Sequence, residues 1–225
     1  VIVILSYVKF SNRRRFYYLN PEKSESIIKA ALEIFKKKSI DSTKMTEVAE
    51  LSGVGVATIY RYFNTKFELA KAAGSMLWEK EISGLYQQYD KDNFNASNGF
   101  EKVQDILALM LHVYENHPEY IRFLENFDNF IVQENITKEM LHDYDIRIAA
   151  QKDRFIAAME EGKEDGTILK TIESNEFYYT ITHALISLSQ KLLIRGHIIE
   201  SDEIVTGDAQ IKLLIQMATS YIKRM

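Results

Sequence analysis

From Asn20 onward, apolar residues recur every three or four positions, the spacing of one helical face, and no stretch shows the strict alternation of a strand. Asn20-Pro21 opens a first helix, with Glu22 and Glu25 near its positive end. Ile28, Ala31, Leu32 and Phe35 form its inward stripe. Met45, Val48 and Ala49 give a second, short helix that Gly53 stops. A third runs over 56–63, with Ile59 and Phe63 inward as an i,i+4 pair. Residues 66–89 read as one long helix with Leu77, Trp78, Ile82, Leu85 and Tyr89 close to one face, and 91–99, rich in Asn, Asp and Ser, as a loop. Helices follow over 100–116, 120–130, 137–161, 175–195 and 208–224, with Gly162 and Gly166 ending the third of these. The expected fold is all-α.

Residues 44–69, KMTEVAELSGVGVATIYRYFNTKFEL, carry the most specific signal. Gly53 can adopt positive φ just past a helix end, Val54 then points back to the core, and Gly55 sits where the next helix is capped. Val56, Ala57, Thr58, Tyr60, Arg61 and Tyr62 are left on the outside of the 56–63 helix. Small side chains permit close approach to a DNA major groove, and an arginine can address guanine. An ordinary helical hairpin burying Ile59 and Phe63 is the plainer reading of the same residues.

Here the chain resembles the TetR family of transcriptional regulators. The resemblance rests on Phe35, Thr43, Val48-Ala49, Gly53-Val54, Thr58-Ile59-Tyr60-Arg61-Tyr62-Phe63 and Lys66, all in register. Gly55 replaces the usual Ser, and Lys44 stands where a small hydroxyl residue is common, so both helix starts depart from the pattern. The resemblance implies an N-terminal three-helix, helix-turn-helix DNA-binding head over 20–66 and a C-terminal helical ligand-binding and dimerisation domain over 67–225, with 1–19 an extension of unassigned role. It implies a ligand-responsive regulator, a repressor bound as a homodimer to a palindromic double-stranded operator, with half-sites about 34–36 Å apart. On the head, Thr58 and Arg61 would read base edges with Val56 and Ala57 against the groove, Thr43, Tyr62 and Lys66 would hold phosphates, and Tyr60 would do either.

Charge adds an asymmetry that the net value of −4 conceals. Residues 1–70 hold 12 Lys and Arg against 7 Asp and Glu, and the remainder 16 against 25. A basic end on an acidic body fits one surface facing phosphates and another facing something else. Arg13-Arg14-Arg15 reads either as a basic arm on DNA or as upstream sequence. The apolar run 1–5 falls far short of the ~20 residues that span a bilayer, and its charges follow it instead of preceding it as in a secretory signal. With no cysteine there is no disulfide framework and no thiolate metal site, which fits a cytoplasmic protein with no membrane contact.

The larger domain is rich in aromatics. Trp78, Phe123, Phe127, Tyr144, Phe155 and Tyr178, with Gln151 among them and His183 at the edge, are the candidate lining of a pocket for a small-molecule effector. Gln151 is the one amide on an otherwise apolar stripe, so a ligand, a water or a neighbouring group must satisfy it. The 175–195 helix is apolar around most of its circumference and, with 208–224, holds more apolar surface than a monomer needs. The family uses this pair of helices as a four-helix dimer interface. Two rival readings remain at this point. One is a helical small-molecule-binding protein without DNA binding. The other is a metal-dependent bundle enzyme, for which Glu139 and His142 have the Glu-x-x-His spacing but no second such motif accompanies them. No catalytic residue, cofactor or metal ligand is assigned.

Overall fold

The computed structural model describes residues 20–88, 91–196, 198 and 200–224, with the side chains of 86–88, 91–93, 150, 201 and 202 left aside. Helix α1 (Pro21–Phe35) starts where expected: the Asn20 side chain accepts from the N–H groups of Glu22 and Lys23 at 2.8 and 3.2 Å. Its buried stripe is Ile27, Ala30, Ala31, Leu32 and Phe35, so the face is turned slightly from the one expected and Ile28 is only half-buried. Helix α2 (Met45–Ser52) buries Met45, Val48 and Ala49. The Lys44 ammonium cannot accept a hydrogen bond as a capping side chain does, and the start of α2 is held instead by Glu47, whose carboxylate accepts from the Lys44 N–H at 2.9 Å and pairs with the Lys38 ammonium at 2.6 Å. Hydrogen bonds from Lys38, then from Lys44, keep the Glu47 carboxyl below its usual value.

Helix α3 (Val56–Tyr62) is followed by α4 (Lys66–Met76), a π-helical turn (Leu77–Ile82) and α5 (Ser83–Gln88). The long helix expected from 66 is therefore real but wound more loosely in its middle turn. Tyr89, placed on its stripe, lies outside the described residues. Residues 91–96, expected as loop, form the short helix α6 (Lys91–Ala96). The polar composition there marks an exposed turn without excluding one turn and a half of helix.

The body continues with α7 (Gly99–Asn116), α8 (Pro118–Gln133), α9 (Lys138–Asp165), α10 (Ser174–Arg195), α11 (Glu200–Glu203) and α12 (Gly207–Ile222). Gly166 ends α9 in the left-handed conformation with φ of 84°, whereas Gly162 lies inside the helix. Gly162 is there for space. A Cβ on Gly99, at the start of α7, would stand 2.0 Å from the Gly162 nitrogen, so the two helices meet backbone to backbone. Among the described residues there is no strand. One antiparallel bridge joins Ile168 to Lys223, and Arg224 N–H donates to Thr167 O at 3.0 Å, which ties the end of α12 beside the end of α9.

Two apolar cores result. The first runs without interruption from α1 and α2 through α4 into α8 and Tyr144 of α9. The second joins α7, the later turns of α9, α10 and α12 around Phe155, Met159, Ile168 and Ile211. The α7–α9 crossing gives a direct stability test. Gly99→Ala should lower stability by about 1–3 kcal/mol although alanine favours helix, because the added methyl meets backbone that cannot move aside. Urea unfolding with an unchanged slope and an unchanged midpoint would show that the crossing has slack.

Candidate nucleic-acid interface and effector region

The turn between α2 and α3 has the conformation its glycines allow. Gly53 caps α2 with φ of 69° and ψ of 26°, and Val54 N–H reaches back to Ala49 O at 3.1 Å. Gly55 is extended, at φ −75° and ψ 150°, and its carbonyl accepts from Thr58 N–H at 2.8 Å. This orients α3 with Ile59 fully inside and Ala57, Tyr60 and Arg61 exposed, while Val56, Thr58 and Tyr62 are half-buried. The Arg61 guanidinium lies 5.8 Å from the centre of the Tyr62 ring, and the Tyr62 hydroxyl accepts from the Asn20 N–H at 3.1 Å. That acceptor bond leaves the Tyr62 proton available to an anion.

Two of the residues assigned to phosphates sit differently. Thr43 is 2% exposed and its hydroxyl donates to Ser39 O at 2.9 Å, so it faces the interior and braces the α1–α2 turn. Lys66 is half-buried, and its ammonium donates to Ile40 O and Asp41 O at 3.1 and 2.9 Å. It ties the start of α4 to the same turn. Lys36, the first of three consecutive lysines after α1, is also buried, and ion-pairs with Glu81 at 2.7 Å and Glu33 at 3.1 Å. Over residues 20–70 the cations number 8 against 7 acids, so the positive excess of this end resides in residues 1–19. Those residues, with the Arg13–Arg15 run, lie outside the described part.

Of the eight residues proposed to line a pocket, the six aromatic ones divide between the two cores, and Gln151 and His183 join neither. Trp78 Nε1 donates to the Tyr144 hydroxyl at 2.9 Å, and the Tyr144 ring lies 5.1 Å from that of Phe127, which in turn lies 6.0 Å from that of Phe123. Burial pushes the Tyr144 hydroxyl above its ordinary pKa, so it stays protonated. Phe155 and Tyr178, 5.3 Å apart, belong to the second core. His183 is exposed on α10, 5.8 Å from the Tyr179 ring. Gln151 is satisfied by a neighbour: its amide donates to Ser83 Oγ at 3.1 Å, and Ser83 donates to Trp78 O at 2.8 Å, inside the π-helical turn. Burial of that amide therefore needs no ligand. Ser83 and Gly74 were not singled out from the sequence. A Cβ on Gly74 would come within 2.9 Å of Tyr144, so this glycine lets α9 lie against α4, and no local pattern announces that contact.

With this geometry in hand, comparison with known proteins identifies the head. Residues 27–73, which span α1 to α4, match the model of the bacterial regulatory proteins of the tetR family. The head is a TetR-type DNA-binding domain. An HTH-type transcriptional regulator of Staphylococcus aureus (strain MRSA252) is 22% identical over 184 residues, covering 72% of this chain and 84% of that protein. TetR-type folds recur among solved structures. A putative TetR-family regulator from Rhodococcus sp. superposes with a TM-score of 0.64 at 18% identity, over 88% of this chain and 99% of that one. The regulator FadR from Bacillus subtilis, in complex with stearoyl-CoA, gives 0.63 at 15% identity, over 88% and 98%. At these identities the likeness is one of fold. Among the described residues no helix is long and apolar enough to cross a membrane, and no three His, Asp or Glu are grouped to hold a metal ion. Glu139 and His142 are both exposed on α9.

The tie made by Lys66 is open to test. Lys66→Met should lower stability by about 1.5–3 kcal/mol, since two carbonyls lose a charged donor, and Thr43→Val by about 0.5–1.5 kcal/mol. Denaturant midpoints measure both. Unchanged midpoints would return these two side chains to the phosphate contacts first assigned to them.

Proposed function

We propose that this TetR-family regulator is a ligand-responsive repressor that binds a palindromic operator as a homodimer, in the cytoplasm. The observation that carries the reading is the outward face of α3, where Ala57, Tyr60 and Arg61 are exposed together on a helix seated by Ile59. Arg61 addresses guanine in the major groove with Thr58 beside it, and Val56 and Ala57 let the helix approach. Tyr60 and Tyr62 hold the flanking phosphates. Thr43 and Lys66 shape the turn behind them. One helix of seven residues gives a small footprint, and two copies on a two-fold axis double it and set the half-site spacing.

Support for the dimer comes from α12 and α10. Leu213, Met217 and Tyr221 recur every four residues on α12 with exposures of 57%, 62% and 66%, and Tyr179 and Ile194 of α10 are about half exposed. A stripe of this kind on a monomer marks an interface. An effector that binds one head spacing better than another then shifts the dimer population off the operator.

Two experiments test this. Fluorescence anisotropy with DNA from upstream of the gene should show nanomolar-range binding, which Arg61→Ala weakens by about 1–3 kcal/mol while relaxing preference at one position per half-site. Unchanged affinity and preference in that variant would remove Arg61 from the interface. Light scattering should show a dimer that Met217→Asp dissociates, and a folded monomer for the unaltered chain would end the palindrome argument.

A further inference from the structure

A half-open cleft of about 360 Å³ separates the DNA-binding head from the body. Its floor is α4, at Ala72, Ser75 and Met76, with Tyr144 of α9 on one side. The opposite wall is Ile28 of α1 and Tyr62 and Phe63 at the end of α3. This volume lies within the roughly 300–1,000 Å³ of small-molecule sites, and an apolar floor with aromatic walls is their usual composition. The cleft is distinct from the buried cluster of Trp78, Phe123 and Phe127, which it touches only through Tyr144.

Charge at the rim selects the ligand. Three acids, Glu68, Glu79 and Asp143, face three bases, Lys71, Lys80 and Arg147. Lys71 pairs with Glu68 at 3.4 Å and also donates to Met140 O, and Arg147 pairs with Glu79. Lys80 is engaged outside the lining, with Glu25 at 2.7 Å. Asp143 has no ion pair among the described residues, so one carboxylate of the lining is left without a cation in a cleft that Tyr62, Phe63 and Tyr144 also line. Aromatic faces and a free carboxylate together favour a cation carrying an apolar ring system.

We propose that this head–body cleft is a binding site for amphipathic aromatic cations, with the ring system on Ala72, Met76 and Tyr144 and the positive group at Asp143. The proposal deepens the regulator reading and rests on it. Tyr62 and Phe63 belong to the reader helix and its end, so a molecule lodged there touches the DNA-reading element and α9 at once. Operator affinity and ligand affinity are then coupled by the same factor in both directions.

The test uses the full chain and two pyrene probes of matched ring and opposite charge, 1-pyrenemethylamine and 1-pyreneacetate, titrated by fluorescence. The amine should bind about three- to fivefold more tightly, the worth of one partly exposed charge pair. Asp143→Asn, at an exposed position, should abolish that preference and leave the anion's affinity unchanged or higher. Ala72→Phe, which fills the floor, should weaken the amine at least about tenfold. Equal binding of the two probes, a preference that survives Asp143→Asn, or an affinity that survives Ala72→Phe each overturns the site. Operator titrations without probe separate this claim from its premise. A chain that takes the amine as described but binds no operator refutes the regulator reading alone. Operator binding without the charge preference refutes the cleft alone. Because the amine also binds DNA, its effect on operator affinity is read as the difference between the unaltered chain and the Asp143→Asn, Ala72→Phe double variant.

Discussion

The head stands on the body through one turn of helix. In the π-helical segment that follows α4, three consecutive residues reach three different places. Glu79 pairs with Arg147 of α9, Lys80 with Glu25 of α1, and Glu81 with Lys36 at the end of α1. Successive residues of any helical turn point in well-separated directions around its axis, so adjacent positions can reach separate neighbours. The three contacts differ in strength. Lys80 and Glu25 are 53% and 42% exposed, and solvent screens such a pair, even though hydrogen bonds from Lys80 and then Lys29 lower the Glu25 carboxyl to about 2. Lys36 is 7% exposed beside Glu81, with its ammonium 4.8 Å from the Tyr120 ring. Removing either partner of that pair would strand a buried charge. Lys36–Glu81 is thus the fixed point, and the two outer pairs are adjustable.

The rest of the head is held by continuity of packing. The first core passes from α1 through α4 to Phe123, Phe127 and Tyr144, so head and body share a hydrophobic interior. Gly74 lets Tyr144 lie directly on α4, and Trp78, one turn later, donates to the Tyr144 hydroxyl. Helices α9 and α4 are thus in direct contact. At the start of α4, Lys66 ties this helix to the turn that leads into α2.

How much of this was legible depends on whether the cause was local. Periodicity located the helices of the head and the long helices of the body, and Gly53, Gly55 and Asn20 marked caps that formed as expected, because each depends on a few neighbouring residues. Polar side chains within or beside apolar runs were harder. Of Thr43, Lys66, Lys36 and Gln151, only Gln151 could be seen to need a partner, and the partners are Ser39, Ile40, Glu81 and Ser83, mostly distant in sequence. For Lys66 and Thr43 the sequence pattern suggested DNA, while the structure directs both atoms inward. The aromatic residues of the body were expected to line one pocket, but spacing along one helix does not say which of two cores a ring joins, and Phe155 and Tyr178 lie in the second.

The distribution of strong and weak contacts bears on where an effector can act. Opening the close-packed Trp78–Tyr144–Phe127 cluster would expose apolar surface and break a buried hydrogen bond, each costing about 1–3 kcal/mol. The seam between head and body needs no such opening. Its outer pairs are exposed and individually weak, and its walls already stand apart. Coupling between two ligands is typically about 1–3 kcal/mol, and screened surface pairs of this kind oppose it only weakly. On the proposed reading, a molecule at the seam would exchange surface ion pairs while Lys36–Glu81 keeps the head attached.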